Sequence, residues 1–400
     1  GFYGCGNIGD EATLQGFASL IALSGKRLHV SVGSHDPSHT RRVEPRFRYF
    51  PADRRHWKKW LVKRISSAVV VAGGTPIMDC LGNWPLCEVT PLVEAAHRRR
   101  QPIGFIGIGT ERLARKESRQ IVAERLGPCV RVWTVRSWRD QARLVEYGIP
   151  ADRIAIAADM AWLLDPVSPE WGQRRLLDWG MGDGRRLLGV NLVGEKGLLE
   201  REPQLFEKLA QFLDSLIQEN RVFVLFLSNE VRDDETFDTA AAQKTRTLMK
   251  HAAKTFIAPN EYLSPQQMLS LVGNCYATMS MRYHFCLFSA LQGVPFLALQ
   301  RSDKVVDLCN DLNWPYGKEL RGFSTTELVE AYREMEIQAL PLVEDLRTNV
   351  EALRQRAIDN LVALDALAES GLERAQYPRA QGTRSIDNDP KLSAPSDAPW

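Results

Sequence analysis

Four hundred residues, 44% of them apolar and 25% charged, make a chain long enough for two domains. This balance excludes a collagen-like, wholly disordered or disulfide-scaffold protein. The formal net charge of +2, from 51 basic and 49 acidic side chains, argues against a dedicated nucleic-acid binder and conceals an uneven split: residues 1–165 carry 25 basic and 16 acidic groups, residues 166–400 carry 26 and 33.

The chain opens on Gly1-Phe2-Tyr3-Gly4. A Gly-rich turn needs a strand to leave, so a few residues of a first strand are expected ahead of Gly1. An amphipathic helix is expected near 10–24, then a strand over 28–32. Three apolar strands follow at 68–72, 102–107 and 130–135, with a fourth at 154–157, and helical patterns fill the gaps near 86–99, 113–126 and 138–147. Apolar strands alternating with helices imply a parallel sheet covered on both faces. Pro166, Pro169, Gly172, Gly180, Gly182 and Gly184 mark 166–185 as a linker. The alternation restarts with strands at 187–193, 222–227, 276–279 and 295–299 and helices at 203–219, 233–250 and 282–292. The expected organisation is therefore an N-terminal Rossmann-like domain (1–165), a linker (166–185), a second Rossmann-like domain (186–325), C-terminal helices (326–370) packing back over the first domain, and a disordered tail (371–400) rich in Pro, Ser, Asp and Arg.

The seven cysteines form no C-x-x-C pair and read as reduced thiols of a cytosolic protein. No run of 18 apolar residues could span a membrane. His35 and His39 share a Pro-containing loop with Asp36, which reads as a surface loop and not a zinc site, so no metal is expected. The stretch 41–64 holds ten basic residues against Glu44 and Asp53, interleaved with Phe47, Tyr49, Phe50, Trp57 and Trp60. That mixture suits an anionic membrane surface, suits nucleic acid, and is also the make-up of a plain solvated Arg-rich segment.

Gly4-x-Gly6-x-x-Gly9 matches the glycines of a dinucleotide fingerprint, but Asn7, Asp10 and Glu11 put polar and negative groups where a diphosphate would dock. The two carboxylates are equally suited to capping a helix start. The full string Gly1-Phe2-Tyr3-Gly4-Cys5-Gly6-Asn7-Ile8-Gly9-Asp10-Glu11-Ala12 resembles the opening of the polysaccharide pyruvyl transferase family. Further matches follow in order: Asp36-Pro37-x-x-Thr40, Gly73-Gly74-Thr75-Pro76 with Asp79, Gly107-Ile108-Gly109, Val135-Arg136-Ser137, Ala158-Asp159, Met281-Arg282-Tyr283-His284, Gly293-Val294-Pro295 and Lys304-Val305. The chain departs from the family at Thr75-Pro76, where Gly-Ser is usual, at Ser137, where Asp is usual, and at Asn191-Leu192-Val193, which lacks an Arg.

The resemblance implies two Rossmann-like domains facing a cleft, similar to the GT-B arrangement. It implies transfer of an enolpyruvyl unit from phosphoenolpyruvate, the donor substrate, to a sugar of a cell-surface polysaccharide or its lipid-linked precursor, with no separate cofactor. The setting is then cytoplasmic, peripheral on the inner face of the membrane through 41–64. Such a reaction needs a cationic site for carboxylate and phosphate, a proton donor to the enol methylene, and a base for the attacking hydroxyl. Arg282 and His284 are the catalytic candidates, since Arg binds anions bidentately and His offers a proton near neutrality. Gly6, Asn7, Gly9, Asp10, Glu11, Gly73, Gly74, Thr75, Arg136 and Lys304 are the substrate-binding candidates. For each a plainer role competes: a core histidine for His284, an ion pair for Arg136, a solvated lysine for Lys304, a tight turn for the glycines. Other functions stay open on the residues alone: a GT-B glycosyltransferase using a nucleotide sugar, a nicotinamide-dependent dehydrogenase, and a non-catalytic glycan-binding relative.

Overall fold

Parallel strands need long crossovers, and this sequence supplies them as helices on both faces of two sheets. The computed structural model describes residues 1–52, 61–62, 64–80, 82–181, 184–219, 221–231 and 237–376. Residues 53–60 and 63 of the basic stretch 41–64, with Trp57 and Trp60, and the tail from 377 therefore lie outside the described residues.

In the first half β1 (Ser31–Ser34) pairs with β2 (Arg48–Pro51), and β3 (Val69–Ala72), β4 (Ile103–Ile108), β5 (Val132–Val135) and β6 (Ile154–Ile156) form a four-stranded sheet in that order. Gly1–Tyr3 runs between the two: Tyr3 O accepts from His35 N at 2.9 Å, and its hydroxyl donates to Ala72 O at 2.8 Å. In the second half β7 (Leu187–Asn191), β8 (Phe223–Phe226), β9 (Thr255–Ile257), β10 (Ala277–Ser280), β11 (Phe296–Gln300) and β12 (Gly317–Glu319) take the order β12-β11-β10-β7-β8-β9. Every pair is parallel. The chain direction across the sheet reverses between β7 and β10, the switch point where a doubly wound sheet opens a ligand crevice.

The helix Ile8–Leu23 is buried on nearly every side, and so departs from the expected amphipathic pattern. Met160–Leu163 covers its outer face, and a Cβ on Gly16 would lie 1.9 Å from Met160 O, so only glycine permits the approach. The linker carries a helix, Glu170–Asp178, docked on Pro265–Val272 where Gly172 N donates to Ser270 Oγ at 2.8 Å. The C-terminal helices return to the first half as expected. Arg356 donates to Ala157 O at 3.0 Å, Asn360 donates to Ala158 O at 3.0 Å, and Leu367 packs on Gly104 of β4. The last helix, Leu361–Gln376, runs into the stretch assigned to the tail. No described helix is long and apolar enough to cross a membrane.

Candidate active site

The C-terminal ends of β3, β4, β5 and β6 meet those of β10 and β11, so the loops after six strands share one cleft. On the first wall, Gly4 and Gly6 take positive φ (76° and 80°) and turn the chain into the helix Ile8–Leu23. Asn7 caps that helix, its Oδ1 accepting from Gly9 N at 2.9 Å. Glu11 is turned back to the loop, where Oε1 accepts from Gly4 N at 2.7 Å. Burial pushes its carboxyl up to about 7 against that hydrogen bond. Asp10 faces the Gly73-Gly74 turn, whose residues both have positive φ.

At the centre lies Asp159, fully buried at the end of β6. Its Oδ2 is 3.0 Å from Arg136 Nη1 and 3.2 Å from His284 Nε2, and Thr13 Oγ1 donates to Oδ1 at 3.3 Å. Burial alone would raise this carboxyl; the Arg136 and His284 charges outweigh burial and hold it well below the usual carboxylate range. The other ring nitrogen of His284, Nδ1, lies against Gly9, where an added Cβ would come within 2.2 Å. Gly9 is thus a glycine because the imidazole occupies the space of a side chain.

Arg136 donates through Nε to Gly107 O at 2.9 Å and lies 5.7 Å from the Tyr283 ring centre. Its Nη2 is buried with no hydrogen-bond partner among the described residues. Arg136, Arg143 and Lys304 line one cavity of about 30 Å³ together with Asp140, Asp307 and Asp311. Burial, with Arg301 nearby, lowers the Lys304 ammonium from its ordinary value. Ser137 caps the helix Trp138–Glu146 and donates across the cleft to Asp307 Oδ2 at 3.0 Å.

Arg282 is placed differently. Its Nη1 meets Glu230 Oε2 at 2.8 Å and its Nε meets Asp238 Oδ1 at 3.0 Å. The structure therefore brings Asn7, Gly9, Gly73, Gly74, Thr75, Arg136, His284 and Lys304 around one cleft, and holds Glu11 and Arg282 in buried contacts beside it. Sequence reasoning quoted Asp159 only as a motif match and missed its partners; Thr13, Asp238 and Glu230 had no motif to mark them.

Several solved structures that share this fold are described as complexes with UDP or a UDP-sugar, or as UDP-GlcNAc 2-epimerases. Anabaena Alr3699/HepE in complex with UDP-glucose matches with a TM-score of 0.60 at 11% identity, covering 91% of this chain and 95% of that chain. The UDP-GlcNAc 2-epimerase from Neisseria meningitidis bound to UDP-GlcNAc matches at 0.58 and 9% identity, over 90% and 97%. The UDP-N-acetylglucosamine 2-epimerase from Rickettsia bellii matches at 0.56 and 13%, over 91% and 95%. At such identities the likeness establishes the fold, which is GT-B-like. No curated protein sequence matches the chain. The sequence profile of the polysaccharide pyruvyl transferases matches residues 7–303, which span both walls of the cleft, and the chain belongs to that family of transferases.

Proposed function

We propose that the protein moves a pyruvyl unit from phosphoenolpyruvate to two hydroxyls of one sugar, in a cell-surface polysaccharide or its lipid-linked precursor. One observation carries this reading: Arg136, whose buried Nη2 has no hydrogen-bond partner among the described residues, lines a cavity with Lys304 beside the His284–Asp159 pair. Two cations suit a donor that carries a carboxylate and a phosphate. The cavity of about 30 Å³ holds about one water, so donor binding has to widen the cleft.

In this reading His284 protonates the methylene carbon of the enol, and the adjacent carbon becomes electrophilic. A sugar hydroxyl adds there and returns its proton to His284. A second hydroxyl then displaces phosphate, which leaves with the remaining proton, and the product is a pyruvate ketal. Asp159 keeps the imidazole oriented and stabilises its charged form. Arg136 and Lys304 bind the anion and stabilise charge as the phosphate departs.

The test is a thermal-shift series with phosphoenolpyruvate, UDP-sugars and NAD, because a ligand that binds the folded state raises its apparent stability. The reading expects a shift with phosphoenolpyruvate that Arg136→Ala removes. A shift with a UDP-sugar alone would favour a second reading, glycosyl transfer from a nucleotide sugar, which draws on the UDP complexes among the structural neighbours. A peripheral position at an anionic membrane, through 41–64, accords with a lipid-linked acceptor. Loss of salt-sensitive binding to anionic liposomes on Trp57→Ala/Trp60→Ala would support it, and unchanged binding would end it.

A further inference from the structure

By residue type and position Arg282 is the first candidate for holding the donor, yet its guanidinium is already engaged on every nitrogen. Nη1 meets Glu230, and Nε and Nη2 both donate to Asp238 Oδ1. Arg282, Glu230 and Asp238 are all buried, so the cluster sets two carboxylates against one guanidinium. An incoming phosphate or carboxylate would meet that excess negative charge at close range.

Glu230 belongs to the turn after β8 and Asp238 opens the helix Asp238–Leu248, and the turn grips the Gly-rich loop. Asp238 Oδ2 accepts from Asn229 N at 2.7 Å, Glu230 N at 3.1 Å and Asn191 Nδ2 at 2.8 Å. The turn then reaches across the cleft: Ile8 N donates to Asn229 O at 3.0 Å, and Val231 N donates to Gly6 O at 2.9 Å. Asn7 and Glu230 form an antiparallel bridge between these bonds. Ile8 adjoins Gly9, and Gly9 is the surface against which the His284 ring rests. Arg282 and His284 lie two residues apart after β10, so the contacts run in a closed circuit through both halves of the protein.

We infer that Arg282 is a positioning residue. Through Glu230 and Asp238 it fixes the turn 229–231 on the Gly-rich loop, which keeps Gly9 and the His284 imidazole in register, and it does not touch the donor. The inference deepens the pyruvyl-transfer reading and rests on it only for the activity measurements.

The experiment compares wild type with Arg282→Ala, Glu230→Gln and Arg136→Ala. Three quantities are read: phosphoenolpyruvate binding by calorimetry, amide hydrogen exchange over 4–11 and 228–231, and acceptor-dependent phosphate release. Removing Arg282 takes the arginine counter-charge from two buried carboxylates, so Glu230→Gln, which keeps the side-chain shape and the Arg282–Asp238 pair, carries the test if the alanine variant does not fold. Both changes to the circuit are expected to speed exchange at Ile8 and Val231 by about tenfold or more. They are expected to lower kcat by about 100-fold, since the imidazole loses its register, with the donor KM and binding unchanged. Arg136→Ala is expected to do the reverse, losing donor binding without changing exchange. Unchanged exchange in the circuit variants, or loss of donor binding in Arg282→Ala to match Arg136→Ala, would overturn the inference. If wild type itself fails to bind phosphoenolpyruvate, the pyruvyl-transfer reading falls and the exchange result still decides the positioning role.

Discussion

Replacing Gly9 by alanine tests the geometry of the proposed acid directly. Gly9 lies in the first turn of the helix Ile8–Leu23 and is not among the residues of positive φ, so the backbone accepts alanine and gains up to about 1 kcal/mol of helix propensity. The added Cβ, however, would stand 2.2 Å from His284 Nδ1 and 2.6 Å from Cγ. An ordinary carbon contact is about 3.5 Å, so the ring has to move by more than about 1 Å. The Nε2–Asp159 contact, now 3.2 Å, is disturbed by that shift. Losing a polar contact to a charged group costs about 1.5–3 kcal/mol, so the net change in stability is a loss of about 1 kcal/mol. Activity is far more exposed: a displacement of about 1 Å costs about 100-fold, and loss of the proton donor up to about 10⁴-fold. The assay is phosphate release from phosphoenolpyruvate at saturating acceptor, with thermal unfolding in parallel. A folded Gly9→Ala protein with wild-type turnover would refute the assignment of His284 as the acid.

Two more expectations follow from the buried carboxylates. Asp159→Asn leaves Arg136 without its counter-charge, and urea unfolding is expected to show a loss of about 3–5 kcal/mol, with turnover abolished; a loss under about 1 kcal/mol would mean the pair is not formed in solution. Glu11 is the opposite case, because its folded pKa of about 7 lies above the ordinary 4.5. The folded state holds this proton more tightly than the unfolded chain. Its stabilising contribution is therefore complete below pH 4.5, is lost as pH rises to about 7, and is constant beyond. The loss amounts to about 3 kcal/mol at most. Wild type should fall relative to Glu11→Gln over that window, and parallel stability profiles would contradict the burial argument.

The sequence made the α/β class and the two-part organisation legible because strands such as 103–108 are apolar throughout and end in glycines. The short outer strands escaped notice for physical reasons. β12 is Gly-Lys-Glu, with no apolar residue, and β2 lies in an Arg-rich run and ends in proline; edge strands tolerate both. The helix in the linker was masked by the Pro and Gly residues that flank it. In the cleft, His284, Arg136, Lys304 and Gly9 could be named because each has a chemical reason to stand at the end of a strand or the start of a helix. Their partnerships could not. Asp159 joins Arg136 and His284 only through strand order, and Glu230 and Asp238 reach Arg282 from a charged segment with no motif of its own. Residue type at Arg282 suggested anion binding; only the placement of two carboxylates around it gives the different role inferred above.

The most direct test of the account is the release of phosphate from phosphoenolpyruvate, with and without a lipid-linked or soluble glycan acceptor, by wild type and His284→Ala. The account predicts acceptor-dependent release by wild type, no release by His284→Ala, and donor binding retained in both. Wild-type-like release by the variant, or a wild-type protein that neither binds nor consumes phosphoenolpyruvate, would contradict it.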